Sequence, residues 1–382
     1  MSTNMPNGDV IESVSVATVL GQLPEPIVFG DWVMVTREFA LVRIRSAAGT
    51  EGWAFTLTRD GAVADQIRKS LARVYVGQPV GDQERLFTLA WRRSLASHAS
   101  GVGLRALSLL DLAAWDLAAR SEGISIAGLL GGSNQAMPAT AIVGYPPAST
   151  GPVEIAAQVA QLYARGWRRF KIAVSADQET TRQRLRAVCS AAPGSWLGLD
   201  GAWVFQTVDE ALGFANSIAE LGLGWFEDVF PPGDARIVAE LRSRAPMPIA
   251  MGDEQGGLYY PEALIQANAV DVVRIDLTCM GGITRGRRLI EQCLAAGVKF
   301  APHMNGIVHS QVFGALGHAD VPVEWGVPWT GVDPMADSLR QPEIAADGLM
   351  KPLPEEPGFG PLVNRDWVLS QPFDDPDHLL ES

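Results

Sequence analysis

The sequence contains few of the residues and patterns that mark several large classes of protein. It has only three cysteines, Cys189, Cys279 and Cys293, and no CxxC pair, which argues against a disulfide framework and indicates a reducing compartment. No apolar run reaches the length of about 18 residues that a membrane-spanning helix needs. Residues 1–10 lack the basic and apolar regions of a signal peptide. A cytoplasmic protein is therefore expected.

Positive charge is also scarce. The formal net charge is −13 and the pI is near 4.9, which argues against nucleic acid or an anionic membrane as the main partner. Hydrophobic residues make up 47% of the chain and charged residues 19%, as in a compact globular protein. An anionic substrate would need a local positive centre, such as a metal ion or a few Lys and Arg side chains, to offset the overall field.

The first 130 residues predict a small α+β domain. Apolar alternation and β-branched residues indicate strands over 10–17 and 32–45. The intervening segment 21–30 contains Pro24 and Pro26 and is predicted to be a loop. From residue 61 onward, apolar residues recur at helical spacing.

From residue 137 the pattern changes to short apolar strands that alternate with amphipathic helices. Strands are predicted at 137–144, 169–174, 195–200, 224–228, 248–253, 270–277, 299–303 and 322–325. Helices are predicted at 152–165, 177–192, 207–222, 234–245, 260–268, 283–296 and 307–318. This alternation indicates parallel βα units and favours a closed barrel over residues 131–330, although an open doubly wound sheet stays possible. No GxGxxG motif or P-loop follows the first strand, which weakens the nucleotide-binding version. Residues 331–382 are expected to pack back on the first domain, with a strand near 367–369.

Ionisable residues lie in or just after seven consecutive predicted strands, from the second to the eighth. In chain order they are Lys171, Asp200, Glu227, Asp253, Asp276, His303 and Glu324. Barrel chemistry is located at the carboxyl ends of the strands, so these side chains are expected to meet around one cavity.

The third, fourth and fifth predicted strands carry carboxylates: Asp200, Glu227, and either Asp253 or Glu254, of which only one can point inward because strand residues alternate between the two faces. Like charges this close repel unless a cation neutralises them, and oxygen ligands favour a hard ion such as Mg²⁺. A helix cap or loop carboxylate is the alternative for any one of them. For all three together the metal interpretation is preferred, with one Mg²⁺ per subunit.

The remaining residues suggest acid–base chemistry. Asp276 precedes His303 by one strand, and an Asp that binds one ring nitrogen makes the other a better general base. Lys171 is expected to bind a carboxylate or stabilise negative charge, and Glu324 to donate a hydrogen bond if its pKa is raised. A buried charge-balancing role is the alternative for these two residues. The other histidines are interpreted as structural or surface residues: His98, His309, His318 and His378.

These residues together resemble the enolase superfamily and, within it, the mandelate racemase group. The resemblance covers nearly the whole chain and is carried by Leu107–Leu117 (LSLLDLAAWDL), Leu129–Gly132, Gly198–Asp200, Trp225–Glu227, Gly252–Glu254, Asp276 with Gly281–Gly282, Pro302–His303 and Glu324–Trp325. It implies an α/β fold, a modified TIM barrel (β/α)₇β with an N-terminal α+β capping domain. It also implies Mg²⁺ held by Asp200, Glu227 and Asp253, and an Asp276–His303 dyad that removes a proton next to a carboxylate.

One position departs from the family pattern. The second strand usually carries Lys-x-Lys, and here the run is Lys171-Ile172-Ala173, so the second amine is missing. A racemase ordinarily needs a base on each face of the carbanion, so dehydration of an acid sugar by His303 alone is favoured. A racemase or epimerase, or a metal-binding protein without turnover, are the alternatives. Asp276, where muconate-cycloisomerase-like members carry Lys, argues against cycloisomerase chemistry.

The family resemblance also implies that loops of the capping domain close over the substrate. Residues 21–31 and 54–61 occupy the corresponding places, and Arg59 with Thr58 and Thr56 is predicted to contact the distal part of a small anionic carboxylate substrate. A homo-oligomer is expected from the same resemblance.

Overall fold

The N-terminal part of the chain is built on an antiparallel sheet. The computed structural model describes residues 8–29, 32–93, 95–175, 177–252, 257, 259–331 and 339–361. Strands β1 (Ile11–Phe29), β2 (Trp32–Ser46) and β3 (Glu51–Leu57) pair in that order. One face of this sheet is buried against helices, which explains the alternation seen in the sequence.

The prediction of a loop over residues 21–30 was wrong. Residues 21–29 belong to β1, whose pairing with β2 shifts register between Gln22 and Ile27 and resumes at Ile27, opposite Met34. Pro24 and Pro26 lie inside that interruption, where a proline costs no ladder hydrogen bond. The long hairpin therefore continues past the prolines.

A row of helices covers the sheet, and the longest of them is buried along most of its length. They are α1 (Val63–Gln66), a π-helical turn (Ile67–Leu71), α2 (Ala72–Tyr75), α3 (Gln83–Arg93), α4 (Leu95–His98), α5 (Gly101–Glu122) and α6 (Ile126–Leu129). Helix α5 lies directly on β3 at Gly52, where a Cβ atom would lie 2.3 Å from the carbonyl oxygen of Ala113. Only glycine permits this close approach.

The second part of the chain alternates strands and helices. The strands are β4 (Met137–Ile142), β5 (Arg169–Ala173), β6 (Trp196–Asp200), β7 (Trp225–Glu227), β8 (Ile249–Met251), β9 (Val272–Ile275), β10 (Lys299–Pro302) and β11 (Val323–Gly326). The helices are α7 (Pro152–Ala164), α8 (Gln178–Ala191), α9 (Val208–Ser217), α10 (Ala235–Arg244), α11 (Tyr260–Gln266), α12 (Gly282–Ala296) and α13 (Gly306–Ala315), with short 3₁₀ turns at Ala219–Leu221 and Pro328–Thr330.

These strands form a parallel, nearly closed barrel. The strand order is β10-β9-β8-β7-β6-β5-β4-β11, and the two end strands β10 and β11 contact each other. The predicted fold, a modified TIM barrel with an N-terminal cap, is thus confirmed, and the doubly wound alternative is excluded. Among the described helices, none is long and apolar enough to cross a bilayer.

The sequence signature in α5 joins the two parts of the chain. Asp111 accepts hydrogen bonds from the backbone N–H of Thr284 (3.0 Å) and from its hydroxyl (2.6 Å), and so caps the start of α12. Gly282 leaves room for this carboxylate, since a Cβ there would lie 2.2 Å from Asp111 Oδ2. Burial raises the pKa of Asp111 to about 7 against these hydrogen bonds.

Asp116, five residues further along α5, binds two other segments of the chain. Its carboxylate accepts hydrogen bonds from the backbone N–H groups of Trp53 (2.8 Å) and Phe359 (2.8 Å) and pairs with Arg120 (2.7 Å). Phe359 belongs to the C-terminal segment, which also adds strand β12 (Leu349–Met350) antiparallel to β4. The boundaries 1–130, 131–330 and 331–382 stay a prediction, and residues 367–369 lie outside the described residues.

Replacing Asp116 with Ala is expected to lower the free energy of unfolding by about 3–5 kcal/mol, because two buried N–H groups and Arg120 would lose their shared acceptor. Urea denaturation measures the change. The control is Asp209→Ala, which removes a carboxylate that is 88% exposed and should change the free energy by less than about 1 kcal/mol. Equal effects of the two substitutions would contradict the role assigned to Asp116.

Candidate active site

Strand geometry brings the predicted polar residues around the barrel axis. Asp200 and Glu227 end β6 and β7 and are direct neighbours in register. Six of the seven predicted strand-end residues are placed here: Lys171, Asp200, Glu227, Asp276, His303 and Glu324. Asp253 lies outside the described residues, and its role as a metal ligand stays a prediction.

Four buried charges form a closed ring inside the barrel. The Nζ atom of Lys171 lies 2.6 Å from Glu227 Oε1 and 2.9 Å from Glu324 Oε2. The Nε atom of Arg274 lies 3.0 Å from Glu227 Oε2, and its guanidinium also pairs with Glu324. Each of the four side chains is at most 2% exposed. Positive and negative groups alternate around the ring, so its formal charges cancel.

The ring fixes the protonation of its members. Burial alone would lower the pKa of Lys171, but the carboxylates of Glu227 and Glu324 outweigh it and raise that pKa. Burial alone would raise the pKa of Glu324, but Arg274 and Lys171 hold it below its ordinary value. The expectation that Glu324 donates a hydrogen bond as a neutral acid is therefore wrong: two cations keep it ionised. Glu324 is an acceptor, also for the N–H of Met304 (3.1 Å).

A cluster of three carboxylates shares Glu227 with the ring. Asp200, Glu227 and Asp228 each offer a carboxylate oxygen, and these atoms lie within 4.8 Å of one another. Carboxylate oxygens are the ligands that Mg²⁺ prefers, and each oxygen keeps a second lone pair when it accepts one hydrogen bond. These three carboxylate oxygens thus fit a small divalent cation as ligands. Asp228 follows the predicted ligand Glu227 directly and was not singled out from the sequence.

His303 and Asp276 meet as predicted. The Nδ1 atom of His303 lies 3.3 Å from Asp276 Oδ2, while Asp276 Oδ1 accepts hydrogen bonds from the N–H and the hydroxyl of Thr278, each at 2.8 Å. Thr278 thus holds the carboxylate in place, and the carboxylate orients the imidazole. The ring nitrogen that would take up a proton is then Nε2.

His309 lies beside this dyad and has a structural function. It is fully buried; its Nδ1 donates to the carbonyl oxygen of Met304 (2.7 Å), and its Nε2 accepts from the N–H of Leu277 (3.0 Å). Burial lowers the pKa of His309, so it stays neutral. The Nε2 atom of His309 also lies 3.7 Å from Asp276 Oδ1, a proximity that no pattern in the sequence indicates.

A cavity at the mouth of the barrel contains the reactive groups. Lys171, Asp200 and His303 line it from below. Two arginines of the capping sheet and its following turn, Arg37 and Arg59, line it from above. Arg59 also lies over the ring of Trp32, with its guanidinium carbon 5.7 Å from the ring centroid. The predicted substrate contact by Arg59 is compatible with this position and stays a prediction.

Thr58 and Thr56 lie elsewhere. The hydroxyl of Thr58 donates to Glu38 Oε1 at 2.7 Å, and that of Thr56 pairs with Thr278 at 3.0 Å. Neither threonine is among the described residues that line the cavity. Because both hydroxyls are engaged by protein groups, the substrate contacts predicted for them have no support in the structure.

The rest of the cavity wall is aromatic and apolar. Trp32 of the cap stacks on Trp203 of the barrel at 6.5 Å, and Phe29 contacts Tyr145 edge to face at 6.4 Å. Ile142, Ala202 and Met304 complete the wall among the described residues. The sequence analysis did not identify these residues or Arg274. Only Arg274 could have been found, because it precedes Asp276 by two positions and therefore lies on the same face of the strand.

The fold and the site together define a class of barrel enzyme that gathers carboxylates, a His–Asp dyad and a lysine at the carboxyl ends of its strands. Residues 12–131 match the family model of the mandelate racemase / muconate lactonizing enzyme N-terminal domain, and residues 154–367 match that of the enolase C-terminal domain-like family. The chain therefore belongs to the mandelate racemase / muconate lactonizing enzyme family, which confirms the resemblance found in the sequence.

Several known proteins similar to this chain are named for sugar acids or their lactones, and one similar structure is that of a racemase from Streptomyces coelicolor A3(2). D-galactarolactone cycloisomerase from Agrobacterium fabrum is 27% identical over 89% of this chain and 93% of its own length. L-rhamnonate dehydratase from Saccharopolyspora erythraea is 28% identical over 94% of this chain and 92% of its own length. The structure of L-talarate dehydratase from Polaromonas sp. JS666, complexed with Mg and L-glucarate, superimposes with a TM-score of 0.82 at 22% identity, over 96% of this chain and 98% of that one.

Replacing Lys171 with Met is expected to lower the free energy of unfolding in metal-free buffer by about 3–5 kcal/mol, because Glu227 and Glu324 would then share one cation. The double variant Lys171→Met/Glu324→Gln should recover part of the loss, since it also removes the unpaired negative charge. Denaturant titration of both variants measures this.

The matched control is an exposed ion pair. Arg186 and Glu220 lie 3.2 Å apart with side chains 51% and 57% exposed, so Arg186→Met should cost less than about 1 kcal/mol. A double variant less stable than Lys171→Met would contradict the closed ring, because it would mean that Glu324 needs no cation.

Proposed function

We propose that this protein is an acid-sugar dehydratase that uses Mg²⁺ and removes the proton next to the substrate carboxylate. The observation that carries the proposal is that one cavity is lined by His303, oriented by Asp276, together with Asp200 and Lys171. Base, cation and carboxylate ligand thus face the same small volume. The names of two similar proteins, an L-rhamnonate dehydratase and an L-talarate dehydratase, agree with this proposal.

The metal would be held by Asp200 and Glu227, with Asp253 as the predicted third ligand and Asp228 beside them. When bound, Mg²⁺ supplies positive charge that stabilises the negative charge developing on a substrate carboxylate. Lys171 adds a fixed ammonium group, which its ring partners keep protonated. The carboxylate ends of the substrate would therefore meet positive charge despite the acidic surface of the whole chain.

His303 takes the α-proton in this proposal. The Asp276 carboxylate stabilises the imidazolium that results and keeps Nε2 directed at the substrate. Electrons of the broken C–H bond form a double bond to the neighbouring carbon, whose hydroxyl leaves with a proton as water. The resulting enol becomes a 2-keto-3-deoxy acid.

Ala173 favours dehydration over racemisation, because the second amine usual in the family is replaced by a methyl group. Racemisation of a 2-hydroxy acid, and metal binding without turnover, remain alternatives. The similar D-galactarolactone cycloisomerase adds a further candidate, cycloisomerisation of a sugar-acid lactone, and weakens the argument from Asp276 against that chemistry. The products separate these candidates: a keto acid, an inverted α-carbon, no product or an altered ring.

His303→Asn is expected to reduce keto-acid formation by about 10²–10⁴-fold, the usual contribution of a general base. The assay is a semicarbazide screen of L-rhamnonate, L-talarate, L-glucarate and D-galactarolactone with 5 mM Mg²⁺. His318→Asn, which alters a histidine away from the cavity, is the control and should retain full activity. Unchanged turnover in His303→Asn would remove this residue as the base.

Asp200→Asn is expected to weaken Mg²⁺ binding at least about tenfold in isothermal titration calorimetry, because a neutral amide oxygen replaces an anionic ligand. Asp209→Asn changes an exposed carboxylate and should bind Mg²⁺ like the wild type. Equal affinities in the two variants would place the metal somewhere other than this cluster. The homo-oligomeric state and the cytoplasmic location stay predictions.

A further inference from the structure

Ala173 occupies the position of the missing second lysine in the barrel wall. Ala173 shares the face of β5 with Lys171 and pairs in register with Asp200, so a longer side chain there would emerge beside the carboxylate cluster. Ala173 is 1% exposed and is not among the described residues that line the cavity. Something therefore covers this position.

Tyr145 belongs to the buried cluster that contains this position. The cluster consists of Ala173, Tyr145, Ile142 and Met304 of the barrel together with Ile27 and Met34 of the cap. Within this cluster Tyr145, Ile142 and Met304 also line the cavity. Tyr145 thus connects the buried surroundings of Ala173 with the substrate volume.

Tyr145 lines the cavity beside the reactive groups. Burial raises the pKa of this phenol, Asp200 raises it further, and Arg37, Lys171 and Arg59 lower it. All four of these charged residues line the same cavity as Tyr145. Among the described residues of the cavity wall, Tyr145 has the one side-chain hydroxyl, and this hydroxyl stays protonated at neutral pH.

The backbone before Tyr145 is held in place. The guanidinium of Arg184, buried and 2.5 Å away, donates to the carbonyl oxygen of Gly144, and the N–H of Gly144 donates to Gln158 Oε1 at 2.9 Å. Phe29 packs edge-on against the ring from the cap. A catalytic donor needs such a fixed position, because small displacements cost large factors in rate.

We infer that Tyr145 is a catalytic residue, the proton donor to the departing β-hydroxyl in place of the missing lysine. This rests on the proposed dehydration. His303 takes the proton from C2 and leaves a carbanion, whose electron pair then forms the C2=C3 bond as the C3–O bond breaks. The oxygen leaves with the electron pair of the C3–O bond, takes the Tyr145 proton and becomes water. The phenolate regains a proton from solvent while His303 releases its own, so no proton or electron is gained or lost overall.

The eighth strand separates the two groups around the barrel. Tyr145 follows the first barrel strand, β4, and His303 follows the seventh, β10, with β11 between them. Base and acid therefore approach the substrate from different directions. Each is then free to perform one proton transfer, and His303 need not return the proton that it has just taken.

The test compares two reactions in wild type and Tyr145→Phe, a substitution that removes one oxygen atom. The substrate is the acid that the wild type dehydrates fastest among L-rhamnonate, L-talarate and L-glucarate, in D₂O with Mg²⁺. In Tyr145→Phe, keto-acid formation should fall about 10²–10⁴-fold. Recovered substrate should still gain deuterium at C2 within about threefold of the wild-type rate of C2–H cleavage, because His303 is intact.

A second substrate isolates the leaving-group step. In the analogue with fluorine in place of the C3 hydroxyl, fluoride departs without a proton, so Tyr145→Phe should release it at a rate within about threefold of the wild type. Ile142→Val, another change in the same cluster and wall, is the structural control and should affect both reactions of the natural acid equally. His303→Asn should lose both.

Each other outcome overturns the assignment. Dehydration by Tyr145→Phe at the wild-type rate would mean that His303 returns its own proton. A parallel loss of exchange and dehydration, or slow fluoride release, would mean that Tyr145 only supports the wall. A wild-type protein that forms no keto acid from these acids would instead reject the dehydratase proposal itself, and this role with it.

Discussion

The closed ring of Lys171, Glu227, Arg274 and Glu324 is the constraint on which the barrel and its chemistry depend. Its members come from β5, β7, β9 and β11, which are the second, fourth, sixth and eighth strands of the barrel. Barrel interiors are filled by layers of four side chains from alternate strands, and here one such layer is ionic instead of aliphatic. Each charge has two partners of opposite sign, so burial of all four is tolerated only while the strands keep their register.

The ring also constrains the carboxylate cluster at the mouth of the barrel. Its two cations are matched by its two carboxylates, so its formal charges cancel. Glu227 belongs to both the ring and the cluster and connects the two. Movement of the metal site would therefore disturb the barrel core.

Alternation and strand-end chemistry predicted much of this arrangement from the sequence. They predicted the barrel, the inward direction of Lys171 and Glu324, and the meeting of His303 with Asp276. They failed where a residue depends on partners far away in the chain. Arg274 lies two positions before the strand-end residue Asp276, and the ionised state of Glu324 follows only from knowing that Arg274 reaches it. Pro24 and Pro26 suggested a loop, because the sequence of one strand does not show that its pairing with the next strand is interrupted at these prolines.

Part of the cavity wall could not be predicted for a related reason: Ala202, Trp203 and Met304 follow barrel strands in loops whose backbone is unusual. These three residues, and Asp228 of the carboxylate cluster, have positive φ angles between 45° and 59° directly beyond barrel strands. Such conformations cost free energy in residues other than glycine and persist only when surrounding contacts hold them. Here the contacts are partly supplied by the cap, which stacks Trp32 on Trp203.

The cap therefore does more than cover the barrel. It contributes Arg37 and Arg59 to the cavity, stacks Trp32 on Trp203 in a strained loop, and adds Ile27 and Met34 to the buried cluster that contains Ala173. A sequence change in either part alters the shape of one shared wall. Through this coupling, residues outside the barrel strands shape the cavity without changing the ionic layer beneath it.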